Sequence, residues 1–470
     1  MKRFAVLLSV VLLAMMVVAP VTADLPPGGW WGGIQIANLG TSDANIALTV
    51  YTETDEYTTS ATDVAPGASA NFLSTAIGPD GSTWRGAGVA SADQPIAAVA
   101  SLTNKLLGTA GIDGGTARAL YPGVNEPDTT VFFPLVKNEF PAGNAKTTSF
   151  FVQNAGSAAA TFYAQFKIGT TSYTNEYANI GPGQMVLIDP ADAGFPTASV
   201  GSLVVTSTVP LAGIVNEYKL PAAGDPALDL MATRGFAPAD AGNALLFPIF
   251  KNNFAAKHVG IQIQNTGSVA TTAYMTATET FCFSGTPAVK YANLEIQPGA
   301  SATFLGPNVI ADGCLGSAIV TADQPIVGTA SESRLYTSQF TVYFGFNAMA
   351  ASTNVFAPLY KQVFVDNNTS GLQVQNTTGV DAECTLTWST VGTTNSYVYN
   401  DTIPANGSKT YYRMDNATDY PDANWTGNRV PDGTNNAVKV VCDRAVVGVV
   451  QEANANTASQ DAGNYEAFNQ

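Results

Sequence analysis

Acidic residues are the most concentrated chemistry-bearing groups in this 470-residue sequence. They cluster in TETDEY (52–57) and in DNATDYPDANWTGNRVPDG (415–433). The second segment offers four carboxylates that suit a calcium ion, namely Asp415, Asp419, Asp422 and Asp432. Neither segment has EF-hand or nonapeptide spacing, so a solvated loop is the competing interpretation. We predict no resident cofactor and keep calcium as the one candidate.

The same loop carries two aromatic residues, Tyr420 and Trp425. Their rings have an apolar face and a polar tip, which suits stacking on sugars. Aromatic residues also occur in adhesive loops and in loops packed on a core. The pattern therefore leaves ligand contact and packing both open.

Motifs for nucleophilic or metal-dependent hydrolysis are missing from the sequence. There is no G-x-S-x-G elbow, and the single histidine, His258, excludes an HExxH site. We interpret His258 as an ordinary residue at the start of a strand. Lysines recur at one place in three segments, and we interpret them as solvated charges beside a strand edge (Lys137, Lys251 and Lys361). The sequence predicts that the protein is not an enzyme.

The four cysteines favour disulfides over a metal site. Their number is even, no C-x2-C spacing exists, and three pairings are open (Cys282, Cys314, Cys384 and Cys442). Cys384 occupies a predicted core position, and Cys442 lies in a late strand. We therefore predict a bridge between two facing sheets, Cys384–Cys442, and by elimination Cys282–Cys314.

The chain begins like an exported protein. Residues 1–23 have a basic start, an apolar run and a small-residue end, which predicts a cleaved signal peptide. We expect an extracellular or cell-surface protein with no membrane insertion after cleavage. The net charge of −16 argues against nucleic acid or an anionic membrane as partner. Charged residues make up only 12% of the chain, which predicts hydroxyl- and amide-rich exposed faces.

One short phrase recurs four times along the chain. Its asparagines are Asn38, Asn154, Asn265 and Asn376, separated by 116, 111 and 111 residues. A Pro-Gly or Asn-Gly turn and a late strand such as DQPIVGTASE (323–332) keep step with it. A leading segment, FFPLVKN (132–138) and its relatives, precedes the second, third and fourth copies only. This period suits one small domain per copy.

Within each copy, apolar residues alternate with period two, and turn residues separate the short segments. We predict an all-β chain of four tandem antiparallel β-sandwiches of immunoglobulin-like type after the signal peptide. The predicted boundaries are 1–23, 24–127, 128–240, 241–351 and 352–470. The short junctions between copies predict an elongated rod.

The phrase GIQIQNTGS (260–268), with PGAS and DQPI in order after it, resembles repeat domains of bacterial exported surface proteins. These look like immunoglobulin or fibronectin III sandwiches, and the resemblance covers nearly all of the mature chain. The resemblance implies location and fold rather than an activity. Our own prediction is a non-enzymatic structural or adhesive protein of the cell surface that forms a surface layer or a filament. A carbohydrate-binding module array is the alternative, and a secreted hydrolase is a further one. Expected partners are cell-surface glycans or proteins, or other copies of the chain.

The two ends of the chain suggest head-to-tail association. Repeat one lacks the leading segment, and the terminal GNYEAFNQ (463–470) resembles YFGFNAMA (343–350), which precedes repeat four. An unpaired sheet edge in repeat one would then accept residues 463–470 of a neighbour. The alternative, which we favour, is that DLPPGGWW with Trp30 and Trp31 packed down simply caps this edge.

Overall fold

The computed structural model describes residues 9–16, 29–78, 84–105, 116–141, 146–219, 229–334, 340–365, 367–454 and 462–469. Over these ranges the chain is all-β, which confirms the predicted class. One α-helix, Gly306–Val309, and short 3-10 turns connect the strands. The 3-10 turns are Ser74–Ala76, Pro190–Ala193, Pro238–Asp240, Ala348–Ala350 and Asp422–Asn424.

The first half of the chain forms fifteen described strands. Up to residue 127 they are β1 (Ser9–Met16), β2 (Gly29–Asn38), β3 (Ala44–Thr52), β4 (Glu56–Val64), β5 (Ser69–Leu73), β6 (Arg85–Ala92), β7 (Ile96–Lys105) and β8 (Thr116–Pro122). Between 128 and 240 they are β9 (Asp128–Asn138), β10 (Lys146–Asn154), β11 (Ala160–Ile168), β12 (Thr171–Ile180), β13 (Met185–Ile188), β14 (Ser199–Lys219) and β15 (Asp229–Arg234).

The second half continues in the same order. Between 241 and 351 the strands are β16 (Gly242–Asn252), β17 (Lys257–Asn265), β18 (Thr271–Cys282), β19 (Val289–Ile296), β20 (Ser301–Leu305), β21 (Cys314–Arg334), β22 (Phe340–Phe344) and β23 (Phe346–Asn347). From 352 onward they are β24 (Ser352–Gln362), β25 (Asn368–Asn376), β26 (Ala382–Thr390), β27 (Ser396–Ile403), β28 (Ser408–Tyr412), β29 (Trp425–Thr426), β30 (Thr434–Asn454), β31 (Ala462–Glu466) and β32 (Phe468–Asn469).

One antiparallel pairing pattern occurs four times within these ranges. The strand that ends at the recurring asparagine pairs with the strand after the Pro-Gly turn and with the late strand, as β17 does with β20 and β21. The next strand pairs with its hairpin partner and with the other half of the late strand, as β18 does with β19 and β21. The late strands β14, β21 and β30 each span 21 residues and join both layers, whereas repeat one divides this strand into β6 and β7. The pairing is compatible with β-sandwich repeats.

The recurring asparagine is an architectural residue, and all four copies are fully buried. In repeat three, Asn265 Nδ2 donates to Val269 O at 2.8 Å and to Ile296 O at 3.1 Å, while its Oδ1 accepts from Gly267 N at 2.9 Å. Asn38, Asn154 and Asn376 make the same three kinds of bond. The amide closes the turn after the inner strand and ties that turn to the end of the next hairpin. These hydrogen bonds within the fold explain why the phrase recurs in all four repeats.

Residues 9–16 were excluded from the fold by the signal-peptide prediction, but they form strand β1. It pairs antiparallel with β6 from Ser9 opposite Ala92 to Met16 opposite Arg85. An apolar run of this length can also form a β-strand, so composition alone could not separate the two roles. Residues 1–8 and 17–23 lie outside the described residues, and cleavage stays a prediction.

The predicted elongated rod is wrong, because the first and fourth repeats touch. Gln35 Nε2 donates to Pro358 O at 2.6 Å, and Val99 and Leu120 belong to the hydrophobic core of repeat four. Strands β8, β15, β22 and β31 contact one another in cyclic order, so the four repeats close on themselves. The physical cause is continuous apolar burial, because the cores of repeats one, three and four each include residues of a neighbouring repeat.

The Pro-Gly turns of one repeat contact the strands of another repeat. Ser202 Oγ donates to Gly299 O at 2.7 Å, and Lys167 Nζ donates to Pro298 O at 2.8 Å. Gly183 has φ +75°, and a Cβ at this position would lie 2.6 Å from the Tyr51 ring of repeat one. The Pro-Gly turns thus provide close inter-repeat contacts in addition to reversing the chain.

The C-terminal segment pairs within its own repeat in this single chain, and strand donation by residues 463–470 to a neighbouring chain stays a prediction. β31 pairs with β30, and β32 pairs with β24. Tyr465 is fully buried, and its hydroxyl donates to Leu359 O at 2.6 Å. Residue 470 lies outside the described residues. Trp30 and Trp31 do not form a separate cap on the edge of repeat one. Both belong to the inner strand β2, where Trp30 is buried and Trp31 is 37% exposed.

Both predicted disulfides are present, Cys282–Cys314 and Cys384–Cys442. Each links directly opposed residues of neighbouring strands in one sheet, with Cα atoms 4.1 Å apart. The prediction of a bridge between facing sheets is therefore wrong. It assumed that the +8 strand and the late strand belonged to different sheets, whereas they are hydrogen-bonded neighbours. Two disulfides indicate an oxidising, extracellular environment.

Removing the Cys384–Cys442 disulfide, which closes the longer of the two loops, should lower the stability of the fold moderately. Replacing Cys384 and Cys442 together with alanine should destabilise the protein by about 3 kcal/mol, because the bridge closes a 58-residue separation. Urea denaturation measures this loss, and non-reducing peptide mapping of the parent protein should recover Cys384 linked to Cys442. A peptide that links Cys282 to Cys384 would contradict the assignment.

Candidate functional site

The four aspartates of loop 415–433 do not converge on one point. Asp415 and Asp432 both accept from the buried amide of Gln362, at 2.7 and 3.1 Å. Asp419 accepts from Asn416 Nδ2 at 2.6 Å. Asp422 accepts from Arg429 at 2.6 Å. Among the described residues, no three of these carboxylates bring their oxygens within 4.8 Å of one another.

Within the part of the chain that the structure describes, one group of ligand-type side chains does come together, namely Glu279, Cys282 and Cys314. Both sulfurs are consumed by the disulfide. Glu279 accepts from the backbone N–H groups of Ala288 and Ala311, each at 2.8 Å. This carboxylate therefore holds two loops beside the bridge.

The acidic segment 52–57 forms the turn between β3 and β4. Thr52 N donates to Asp55 O at 2.8 Å, and Glu53 pairs with Arg85 at 3.2 Å. The segment is therefore the solvated end of a hairpin.

Tyr420 is buried rather than open to a sugar, with 8% of its surface exposed. Its hydroxyl accepts from Tyr412 N at 2.7 Å and donates to Tyr412 O at 2.9 Å. Burial raises the pKa of Tyr420 to about 12. This residue anchors the loop on the core, which favours the packing interpretation, and ligand contact through Tyr420 stays a prediction.

Trp425 is half-buried and keeps part of its ring accessible. Its ring centroid lies 5.0 Å from that of Tyr399 and 6.0 Å from that of Trp388, and the Arg429 guanidinium lies 5.7 Å from its centroid. Ligand contact through Trp425 stays a prediction.

His258 stands at the start of β17, as expected from the sequence. Its Nδ1 accepts from Asn253 N at 3.2 Å and lies 3.1 Å from Asn252 Oδ1. These partners are backbone and amide groups, so the ring has a structural setting.

The three recurring lysines are not solvated charges, and that interpretation is wrong. Each pairs with a buried glutamate of the late strand in its own repeat: Lys137–Glu217 at 2.7 Å, Lys251–Glu332 at 2.5 Å and Lys361–Glu452 at 2.9 Å. Lys257 adds a second cation to Glu332 at 2.6 Å. Lys251 Nζ also lies 3.4 Å from Gln451 Oε1, so this pair borders the next repeat.

Burial alone would raise the pKa of Glu332, but Lys251 and Lys257 outweigh it and hold the pKa at about 2. The carboxylate is therefore charged throughout the neutral and mildly acidic range. It is a structural group whose ionisation is fixed by its partners.

The sequence analysis did not identify a partly exposed aromatic cluster formed by Phe254, Phe281 and Phe283. Phe254 and Phe283 stack with centroids 4.8 Å apart at 8°, and Phe281 meets Phe283 edge-on at 5.5 Å. Phe281 is 49% exposed and Phe283 is 65% exposed. The Cys282–Cys314 bridge holds the strand between them. A phenylalanine on each side of a cysteine was the available sequence signal.

The cluster belongs to repeat three alone. At the positions equivalent to Phe281 and Phe283, the other repeats carry Thr54 and Glu56, Thr170 and Ser172, or Gly392 and Thr394. A cluster that is absent from three copies of one architecture is not required by that architecture.

Within the described ranges, the chain contains no helix with both the length and the hydropathy of a membrane span. No protein-family model matches the chain. No curated protein matches it either.

The likeness to solved structures is limited, as two of the matching structures show. The chain aligns with the crystal structure of Thermotoga maritima 1070 over 24% of its own length and 95% of that protein, at 20% identity and a TM-score of 0.20. It aligns with CfaE, the adhesive subunit of the CFA/I fimbria of enterotoxigenic Escherichia coli, over 49% of its own length and 88% of that protein, at 11% identity and a TM-score of 0.08. TM-scores this low establish no relationship.

Proposed function

We propose that this protein is a non-enzymatic, extracellular structural or adhesive protein of the cell surface. In this proposal it is exported through a cleaved signal peptide and consists of four immunoglobulin-like sandwiches. Its role is to present a rigid contact surface, either within a surface layer or filament or toward cell-surface proteins and glycans. The side chains that could take part in catalysis, His258 and the loop aspartates, have structural hydrogen-bond partners. This supports a non-catalytic role.

The aromatic cluster Phe254–Phe281–Phe283 carries the adhesive part of the proposal. Three phenyl rings in mutual contact form an exposed apolar patch that is already ordered before a partner arrives. Such patches mark interaction sites, and preordered aromatic side chains lose little entropy on binding.

A double substitution tests this contact surface. Phe281→Ser with Phe283→Ser should reduce adhesion to an alkyl-terminated surface at least tenfold, as measured with a quartz crystal microbalance. The matched control is Leu73→Ser with Tyr163→Ser, which removes two other exposed apolar side chains. Equal losses in both variants would show unspecific adsorption and contradict the assignment.

Carbohydrate binding is the alternative, and Trp425 is the residue on which it rests. On a glycan array, any sugar bound by the parent protein should lose at least tenfold in signal with Trp425→Ala. Tyr412→Ala is the matched control, since it removes an exposed ring from the same repeat. An array without any hit would contradict carbohydrate binding. Hydrolytic activity of the purified protein in a zymogram would instead support the secreted-hydrolase alternative.

A further inference from the structure

Repeats two, three and four each complete one sheet with their own leading strand. β9 pairs with the first half of β14, β16 with β21, and β24 with β30. Each leading strand also brings the lysine of a buried ion pair. In its own repeat this lysine lies opposite Val200, Leu315 or Asn435.

In repeat one, β1 occupies the equivalent place on β6. Met16 lies opposite Arg85, and Arg85 is the register equivalent of Val200, Leu315 and Asn435. β1 also contacts β2 and β7, so it lies where the two layers of the repeat meet. The leader segment thus takes the position of a leading strand, with methionine at the register position of the lysine.

The position beside the late strand that a leading strand fills, which we call the groove, differs in charge between repeat one and the other repeats. In repeats two, three and four, the residue six positions before the recurring asparagine lies opposite a glutamate of the late strand. These pairs are Thr148–Glu217, Val259–Glu332 and Ser370–Glu452. The residue in this register in repeat one is Leu102, opposite Gly32, and it is 2% exposed. The lysine and the glutamate are therefore both replaced by apolar residues in the same repeat.

This paired replacement defines what the groove accepts. A buried glutamate without a cation is strongly destabilising, and so is a buried lysine without an anion. A groove with Leu102 therefore selects a strand without charge at the position opposite Arg85. Main-chain hydrogen bonds to β6 would supply affinity, as in strand addition generally.

We propose that β6 of repeat one is an acceptor for an extended, uncharged, apolar strand. The chain's own residues 9–16 fill it in the precursor. After cleavage of the leader, an apolar strand of the same chemistry from a partner polypeptide takes its place. This proposal rests on the predicted cleavage, and it is independent of the aromatic cluster.

The test uses a labelled synthetic peptide, SVVLLAMM (9–16), extended by a polar linker, and fluorescence anisotropy. The full chain with Leu13→Pro should bind the peptide, since proline at the centre of β1 disrupts its pairing with β6. The chain that begins at Asp24 should bind it as well. The unaltered full chain should bind at least tenfold more weakly, because its groove is filled.

A charge exchange tests the specificity. The peptide with Met16→Lys should bind at least tenfold more weakly to the opened groove. It should recover when the acceptor carries Leu102→Glu, which restores the ion pair of the other repeats. The double variant Phe281→Ser with Phe283→Ser should leave peptide binding unchanged, which separates this test from the adhesive proposal.

Three results would overturn the acceptor. Equal binding by the opened and the unaltered chains indicates adsorption, and folded opened chains that do not bind exclude the site. Where an opened chain is unfolded by circular dichroism, refolding is repeated with the peptide present. Recovery of β structure supports the acceptor, and no recovery overturns it.

Discussion

Replacing Asn265 with aspartate should destabilise the protein by about 4 kcal/mol. The buried amide donates to two carbonyls, Val269 O and Ile296 O, and a carboxylate would place negative oxygens against both. Asn265→Ala should cost nearly as much, because it leaves the two carbonyls and the N–H of Gly267 without this partner. Urea denaturation followed by circular dichroism measures the loss.

Asn293→Asp provides the matched control for this substitution. Asn293 is exposed on β19 of the same repeat, so the change should alter stability by less than about 0.5 kcal/mol. Similar losses at both positions would show that the added negative charge, rather than the buried hydrogen bonds, is responsible.

Glu332→Ala should also cost about 4 kcal/mol at neutral pH. The substitution leaves Lys251, which is largely buried, without its anion, and breaking one side of a buried pair is more harmful than replacing both sides. The double variant Lys251→Met with Glu332→Leu should therefore be less destabilised than Glu332→Ala. A double variant that is the weaker of the two would contradict this account of the pair.

The same glutamate makes stability depend on pH in a defined window. Its folded pKa of about 2 lies below the usual value of 4.5, so its contribution is present above pH 4.5. That contribution is lost as pH falls from 4.5 through 2. The difference in denaturation midpoint between the parent and Glu332→Gln should therefore shrink from pH 6 to pH 2.5. The exposed Glu295→Gln, measured at the same two pH values, is the matched control.

The repeated sheet architecture could be predicted because it depends on local signals. Period-two alternation, turn residues and the phrase around Asn265 are all readable within about 30 residues. The closure of the four repeats could not be predicted. It depends on contacts such as that of Ser202 with Gly299, which join small residues and backbone groups without any sequence period.

The candidate site was predicted less well than the fold. Tyr420 and Trp425 have the same aromatic character in sequence, and only the packing of the loop shows that Tyr420 is buried and that Trp425 is half-buried. The partners of the recurring lysines lie 80, 81 and 91 residues away. A signal did exist, because Leu102 replaces the glutamate in the one repeat that lacks the lysine. The aromatic cluster combines Phe254, in the turn between β16 and β17, with Phe281 and Phe283 at the end of β18. No local pattern joins Phe254 to Phe281.

The cyclic contact of β8, β15, β22 and β31 has a mechanical consequence. In an open string of domains, tension between the first and last units passes through every unit in between. Here the first and fourth repeats share an interface, so tension between them loads that interface directly and reaches repeats two and three only after it ruptures. The protein should therefore resist stretching with one early high-force event and then extend repeat by repeat.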